Sequence, residues 1–199
     1  MSSTNDLISE PASKKAKVHK KTSYDPHYSD NWNTPKAEFE KLVPFVRKYA
    51  QENGIENLVI WDPFYNADGG TANKYLNEIF PDATIIHADE WVDLDDPHIP
   101  INAQEANLII TNPPYSKKNK LITTKWMKSL GLPFMSLMPM ETTMLKCMRP
   151  ILKDELQLVI PNGRICFEGP NGVKTGSAPL GTVWFCFGMH LEKALNFLD

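Results

Sequence analysis

Short apolar runs recur along the chain, separated by turn signals and by longer stretches whose apolar residues fall at helical spacing. Residues 57–61, Thr84–His87, Leu108–Thr111, 134–138, 156–160 and 183–187 are runs of four or five largely hydrophobic residues. Runs this short predict strands, and their near-continuous hydrophobicity suits strands covered on both faces of a sheet. Residues 36–52 place Phe39, Leu42, Val43 and Val46 on one side of a predicted helix, with Thr34 as N-cap, Pro35 at the first helical position, Pro44 as a kink and Gly54 as terminator. Further helices are predicted over Thr71–Ile79, over the stretch ending near Leu130, and over 141–153. Residues 164–167 and 183–187 predict a C-terminal antiparallel strand pair, and the connection 168–181, with two prolines and four glycines, predicts a mobile loop. Strands alternating with helices give an α/β fold, a Rossmann-like, mostly parallel sheet flanked by helices.

At 199 residues the chain is long enough for one substantial core and short for two full domains. Two segments are expected: a disordered basic tail over 1–23, and a folded domain over 24–199. Residues 1–23 hold five lysines against Asp6 and Glu10, a net +3; with the whole chain at −3, the remainder carries −6. That balance is unfavourable for gripping phosphates unaided, so nucleic-acid contact has to be local or helped by a partner. The stretch 11–21 reads either as a nuclear import signal, placing the protein in the nucleus rather than the cytoplasm, or as a solvated basic tail. No apolar run reaches membrane-spanning length, so no membrane partner is expected. Cys147, Cys166 and Cys186 show no paired spacing for zinc or redox chemistry and read as reduced core residues, with no metal site.

Candidate chemistry gathers where the strands end. Asn112-Pro113-Pro114-Tyr115 follows the run Leu108–Thr111, and two consecutive prolines stop the strand at Asn112. The stiff turn presents an amide, a carbonyl without a competing local donor and an aromatic face, which together suit a planar base with an exocyclic amine. Asp62-Pro63-Phe64 closes the first strand, and Asp68-Gly69-Gly70 leads into the next helix, an arrangement either for a small-molecule pocket at a switch point or for a plain tight turn. Asp89 follows the second strand, positioned for ribose hydroxyls or simply part of a solvated acidic loop; His87 reads as a core residue. Lys117, Lys118, Lys120, Lys125 and Lys128 form an acid-free basic stretch, either a phosphate-facing edge or one exposed helix face.

The tetrad after a strand resembles that of S-adenosylmethionine-dependent amino methyltransferases. Trp32-Asn33-Thr34-Pro35 upstream is similar to the opening of the phage-type DNA N6-adenine methyltransferase family, and 163–167 followed by 176–179 is similar to that family's C-terminal segment. The resemblance covers roughly residues 31–187 and implies a class I methyltransferase fold. It implies S-adenosyl-L-methionine as cofactor, held by Trp32, Thr34, Pro35, Asp62, Pro63, Phe64 and Asp89, and adenine N6 in DNA, ahead of RNA, as the acceptor. Asn112 and the carbonyl of Pro113 would receive the amine hydrogens, Pro114 would fix the turn and Tyr115 would stack on the base, with Lys117, Lys118 and Lys120 along the nucleic acid. The loop after Phe64 is bulkier than the family's. There is little room for a target-recognition domain, so sequence specificity is expected to be low or supplied by a partner subunit. Methylation of another amine, cytosine N4 or protein glutamine, and a non-catalytic subunit of the same fold are the alternatives.

Overall fold

The computed structural model describes residues 32–64, 70–87, 101–115, 117–169 and 181–198. The tail 1–23, the turn 65–69, Asp89, Ser116 and most of the predicted loop 168–181 lie outside the described residues.

The predicted runs lie side by side in one seven-stranded sheet. In chain order the strands are β1 (Val59–Asp62), β2 (Thr84–His87), β3 (Leu108–Thr111), β4 (Phe134–Pro139), β5 (Gln157–Ile160), β6 (Thr182–Phe187) and β7 (Leu195–Phe197). Across the sheet their order is β2-β1-β3-β4-β6-β5-β7. All run parallel except β6, which is antiparallel to both neighbours, β4 and β5.

Side chains alternate between two apolar layers, as the period of a strand requires. Ile60, Leu108, Ile110, Met135 and Leu137 face one layer with Phe39, Leu42, Val46 and Leu76. Trp61, Ile109, Phe134 and Met138 face the other with Trp126, Met127 and Leu152. Helices α1 (Lys36–Glu40), α2 (Val43–Glu52) and α3 (Thr71–Ile79) supply the first layer; α4 (Lys117–Ser129) and the short α5 (Arg149–Leu152) supply the second. The mixed α/β architecture, with a mostly parallel sheet between helices, is therefore as expected. No helix among the described residues is long and apolar enough to cross a membrane.

Five expectations change. The helix over 36–52 is two helices, because Pro44 lacks an N–H and occupies the first turn of α2 instead of kinking a continuous rod. Thr34 is not the cap: Pro35 takes the N-cap position, and no side chain bonds there. The helix over 141–153 is a 3-10 turn, Met140–Met144, followed by α5, with Pro150 admitted in the first turn of α5. Residues 164–167 form no strand, so the predicted C-terminal pair is absent; β6 instead pairs with β4 over six residues, Phe134↔Phe187 through Pro139↔Thr182, and with β5. Of the cysteines, only Cys186 is buried, and burial pushes its thiol pKa up; Cys147 and Cys166 are exposed.

Candidate functional site

Strand β1 connects through α3 to β2 on one side, and the chain then returns across β1 to β3 on the other. The strand order thus reverses between β1 and β3, the place where open parallel sheets form ligand crevices beyond their carboxyl ends. Asp62 ends β1, and Thr111 with Asn112 ends β3.

These ends are locked together. Thr111 Oγ1 donates to Asp62 Oδ1 at 2.6 Å, and His87 Nδ1, at the end of β2, lies 3.4 Å from Asp62 Oδ2. Asp62 is 2% exposed and Thr111 1%. A buried carboxyl is costly unless hydrogen-bonded, and the Thr111 hydroxyl supplies that bond, with the imidazole close by. Next to it, Gly70 begins α3 at φ +96°, and a Cβ there would stand 3.3 Å from His87 Nε2.

The tetrad turn is fixed from several directions. Pro113 and Pro114 are buried, whereas Asn112 and Tyr115 are partly exposed. Asn112 Nδ2 donates to the main-chain oxygen of Trp32 at 3.1 Å. Asn112 Oδ1 is buried and has no partner among the described residues, and the same holds for Thr34 Oγ1. The Tyr115 ring meets Phe167 edge-on, with centroids 6.5 Å apart at 81°. The opening segment is itself held in place: Asn33 N–H donates to Glu168 O at 2.8 Å, Glu168 N–H returns to Asn33 O at 2.9 Å, and Tyr75 Oη donates to Glu168 Oε2 at 3.2 Å.

The structure therefore brings Trp32, Asn33, Thr34, Asp62, Asn112 and Tyr115 into one connected assembly at the carboxyl end of the sheet. Pro63 is buried and Phe64 is 2% exposed, with its ring packed against Trp126 at 5.9 Å, so this pair anchors the turn after β1 in the core. Phe167, Glu168, Tyr75 and His87 also belong to the assembly. Their sequence signals are those of ordinary strand, loop, helix and core positions; only their long-range contacts reveal them, Glu168 with Asn33, Tyr75 with Glu168, Phe167 with Tyr115 and His87 with Asp62.

The lysines divide. Lys118 and Lys125 are exposed. Lys120 is 7% exposed, with its ammonium 3.3 Å from Glu141, which does not suit the expected contact with an external phosphate. Lys128 bonds Glu155 at 2.9 Å and the carbonyl of Ile151, and sits over the Phe187 ring. Helical rotation turns these two toward neighbouring elements, which a simple count of lysines misses. No cluster of metal-ligating side chains occurs among the described residues. Neither a protein-family model nor a curated protein matches the chain.

Proposed function

We propose that this chain is an S-adenosylmethionine-dependent methyltransferase acting on the N6 amine of adenine in nucleic acid, with DNA ahead of RNA. The observation that carries the reading is the buried, unpaired Oδ1 of Asn112 at the end of β3, next to a turn stiffened by two prolines.

An adenine amine is a weak nucleophile because its lone pair is shared with the ring. An acceptor aimed at its hydrogens stabilises the nitrogen as it becomes tetrahedral. Because Asn112 commits its NH2 to the Trp32 carbonyl, its oxygen remains available for that work. The carbonyl of Pro113 would serve as the second acceptor, held by a residue with fixed φ. Tyr115, braced by Phe167, would stack on the base, a contact of about 1–3 kcal/mol.

The opening segment suits the cofactor. Thr34 Oγ1 is a buried hydrogen-bonding atom lacking a partner, and half-buried Trp32 and Pro35 add apolar surface beside it. When bound, the cofactor supplies a methyl group on a sulfonium. Asp62, engaged with Thr111 and His87, fits as the brace of the crevice. The single reversed strand near the C-terminus is compatible with the class I methyltransferase fold.

The test is cofactor binding by calorimetry together with radiolabelled methyl transfer to DNA and RNA oligonucleotides. Asn112→Ala should bind cofactor like the wild type yet lose about 10²- to 10³-fold in transfer, the usual cost of removing one positioned hydrogen-bonding group. Failure of the wild type to bind cofactor, or undiminished transfer by the variant, would overturn the reading.

A further inference from the structure

Four large hydrophobic side chains are exposed among the described residues. Leu195 and Phe197 lie on the edge strand β7, whereas Met140 (41% exposed) and Met144 (80%) lie on the 3-10 turn that leaves β4. That turn is on the same edge of the sheet as the tetrad, since β4 is the neighbour of β3 with Thr111 opposite Ser136.

The turn is firmly seated. Met140 N–H donates to Gly181 O at 2.8 Å, Glu141 pairs with Lys120 of α4, and Thr142 is wholly buried. On the far side, Leu145 packs into the core and its carbonyl accepts from Met148 at 2.9 Å and Arg149 at 3.2 Å. Met144 thus projects an unbranched, adaptable side chain from a rigid base. Two exposed cations follow within the next turn of chain, Lys146 and Arg149, and neither has a carboxylate partner among the described residues, in a folded part that is otherwise acidic. An apolar tip with unneutralised cations beside it matches a base stack bordered by phosphates.

We propose that the Met140–Met144 turn is a wedge that enters a nucleic-acid duplex next to the target base, Met144 occupying the unstacked step while Lys146 and Arg149 hold the flanking phosphates. The inference rests on the methyltransferase reading and adds to it a duplex-opening element. Filling the step would lower the cost of extruding a base toward Asn112, a cost that a single strand does not incur.

The experiment measures fluorescence anisotropy of a labelled mixed-sequence DNA duplex, and of one of its strands alone, titrated with the full chain at several salt concentrations. Met144→Ser should weaken duplex binding about tenfold and single-strand binding less than twofold. The double variant Lys146→Glu, Arg149→Glu should weaken both and lower the salt slope by about two. An unchanged thermal transition would show that each variant folds. If the wild type binds DNA and Met144→Ser binds both probes equally well, the wedge is overturned while the methyltransferase reading stands. If Met144→Ser instead abolishes self-association seen by light scattering, with DNA binding unchanged, the methionines are a protein contact and the wedge is overturned. If the wild type binds neither probe, the wedge is overturned and the methyltransferase reading loses DNA as its acceptor.

Discussion

The side-chain amide of Asn112 donates to the main-chain carbonyl of Trp32 at 3.1 Å, joining the end of β3 to a segment eighty positions earlier in the chain. A carbonyl only accepts, so this contact settles which end of the amide faces Trp32. Asn112→Asp removes the donor and sets a carboxyl against that carbonyl. The folded state should then favour the protonated carboxyl, which can still donate, so its pKa rises on folding. A raised carboxyl pKa means the variant is closest to wild-type stability below the unfolded value of about 3.9 and loses stability as the pH rises past it. Urea denaturation of both proteins at acidic and neutral pH checks this; an equal difference at both would refute it.

The bond from Thr111 to Asp62 is buried and short. Thr111→Val keeps the shape but leaves one carboxylate oxygen without its donor, at an expected cost of about 1–3 kcal/mol. Thr111→Ser, which restores a hydroxyl, should recover most of that loss. Chemical denaturation of the three proteins gives the comparison.

Gly70 combines a left-handed backbone with close approach to His87. Gly70→Ala should cost about 1–2 kcal/mol from backbone strain alone and push the imidazole away from Asp62. A lowered melting temperature together with a shifted His87 resonance in NMR would bear this out. A variant as stable as wild type would not.

On the surface, Arg47 makes two hydrogen bonds to Asp82, linking α2 to the turn before β2. The guanidinium holds the Asp82 carboxyl below its ordinary pKa. A depressed carboxyl pKa stabilises the fold above the unfolded value, and that contribution vanishes as pH falls through the folded one. Arg47→Gln should therefore lower the melting temperature slightly at neutral pH and by less near pH 3, a small effect because Asp82 is fully exposed. Thermal scans at the two values decide it.

Much of the fold was legible because a strand covered on both faces shows itself as a short apolar run: Leu108–Thr111 is buried throughout and has the expected boundaries. The edge strand Thr84–His87, of which only Ile86 is buried, and the helix Thr71–Ile79 also have the expected boundaries. Strand β7 was missed because Leu195, Asn196 and Phe197 alternate over too few residues to establish a period, and its identity comes from pairing with β5. The helix break after Glu40 was readable only in part: Pro44 signals a disturbance, but whether it bends a helix or starts one depends on what packs behind it. At the candidate site, Asn112 and Asp62 stood out by type and position. Glu168 did not, since nothing local foretells a bridge to Asn33. Lys120 looked like its neighbours until its partner Glu141, from a different element, came into view.

The placement of β6 has a bearing on how the molecule is made. On a ribosome β4 emerges well before the reversed strand that will cover its free side, so for that interval a largely apolar strand, buried throughout in the finished fold, offers unpaired amides and carbonyls to any passing chain. The sheet closes only when the strand between β4 and β5 slides in from late in the sequence, a distant and therefore slow pairing. Shortening the chain from its C-terminal side before β6 would thus leave Asn112 and Asp62 untouched yet yield a protein that clumps, and loss of activity in such truncations would say nothing about chemistry.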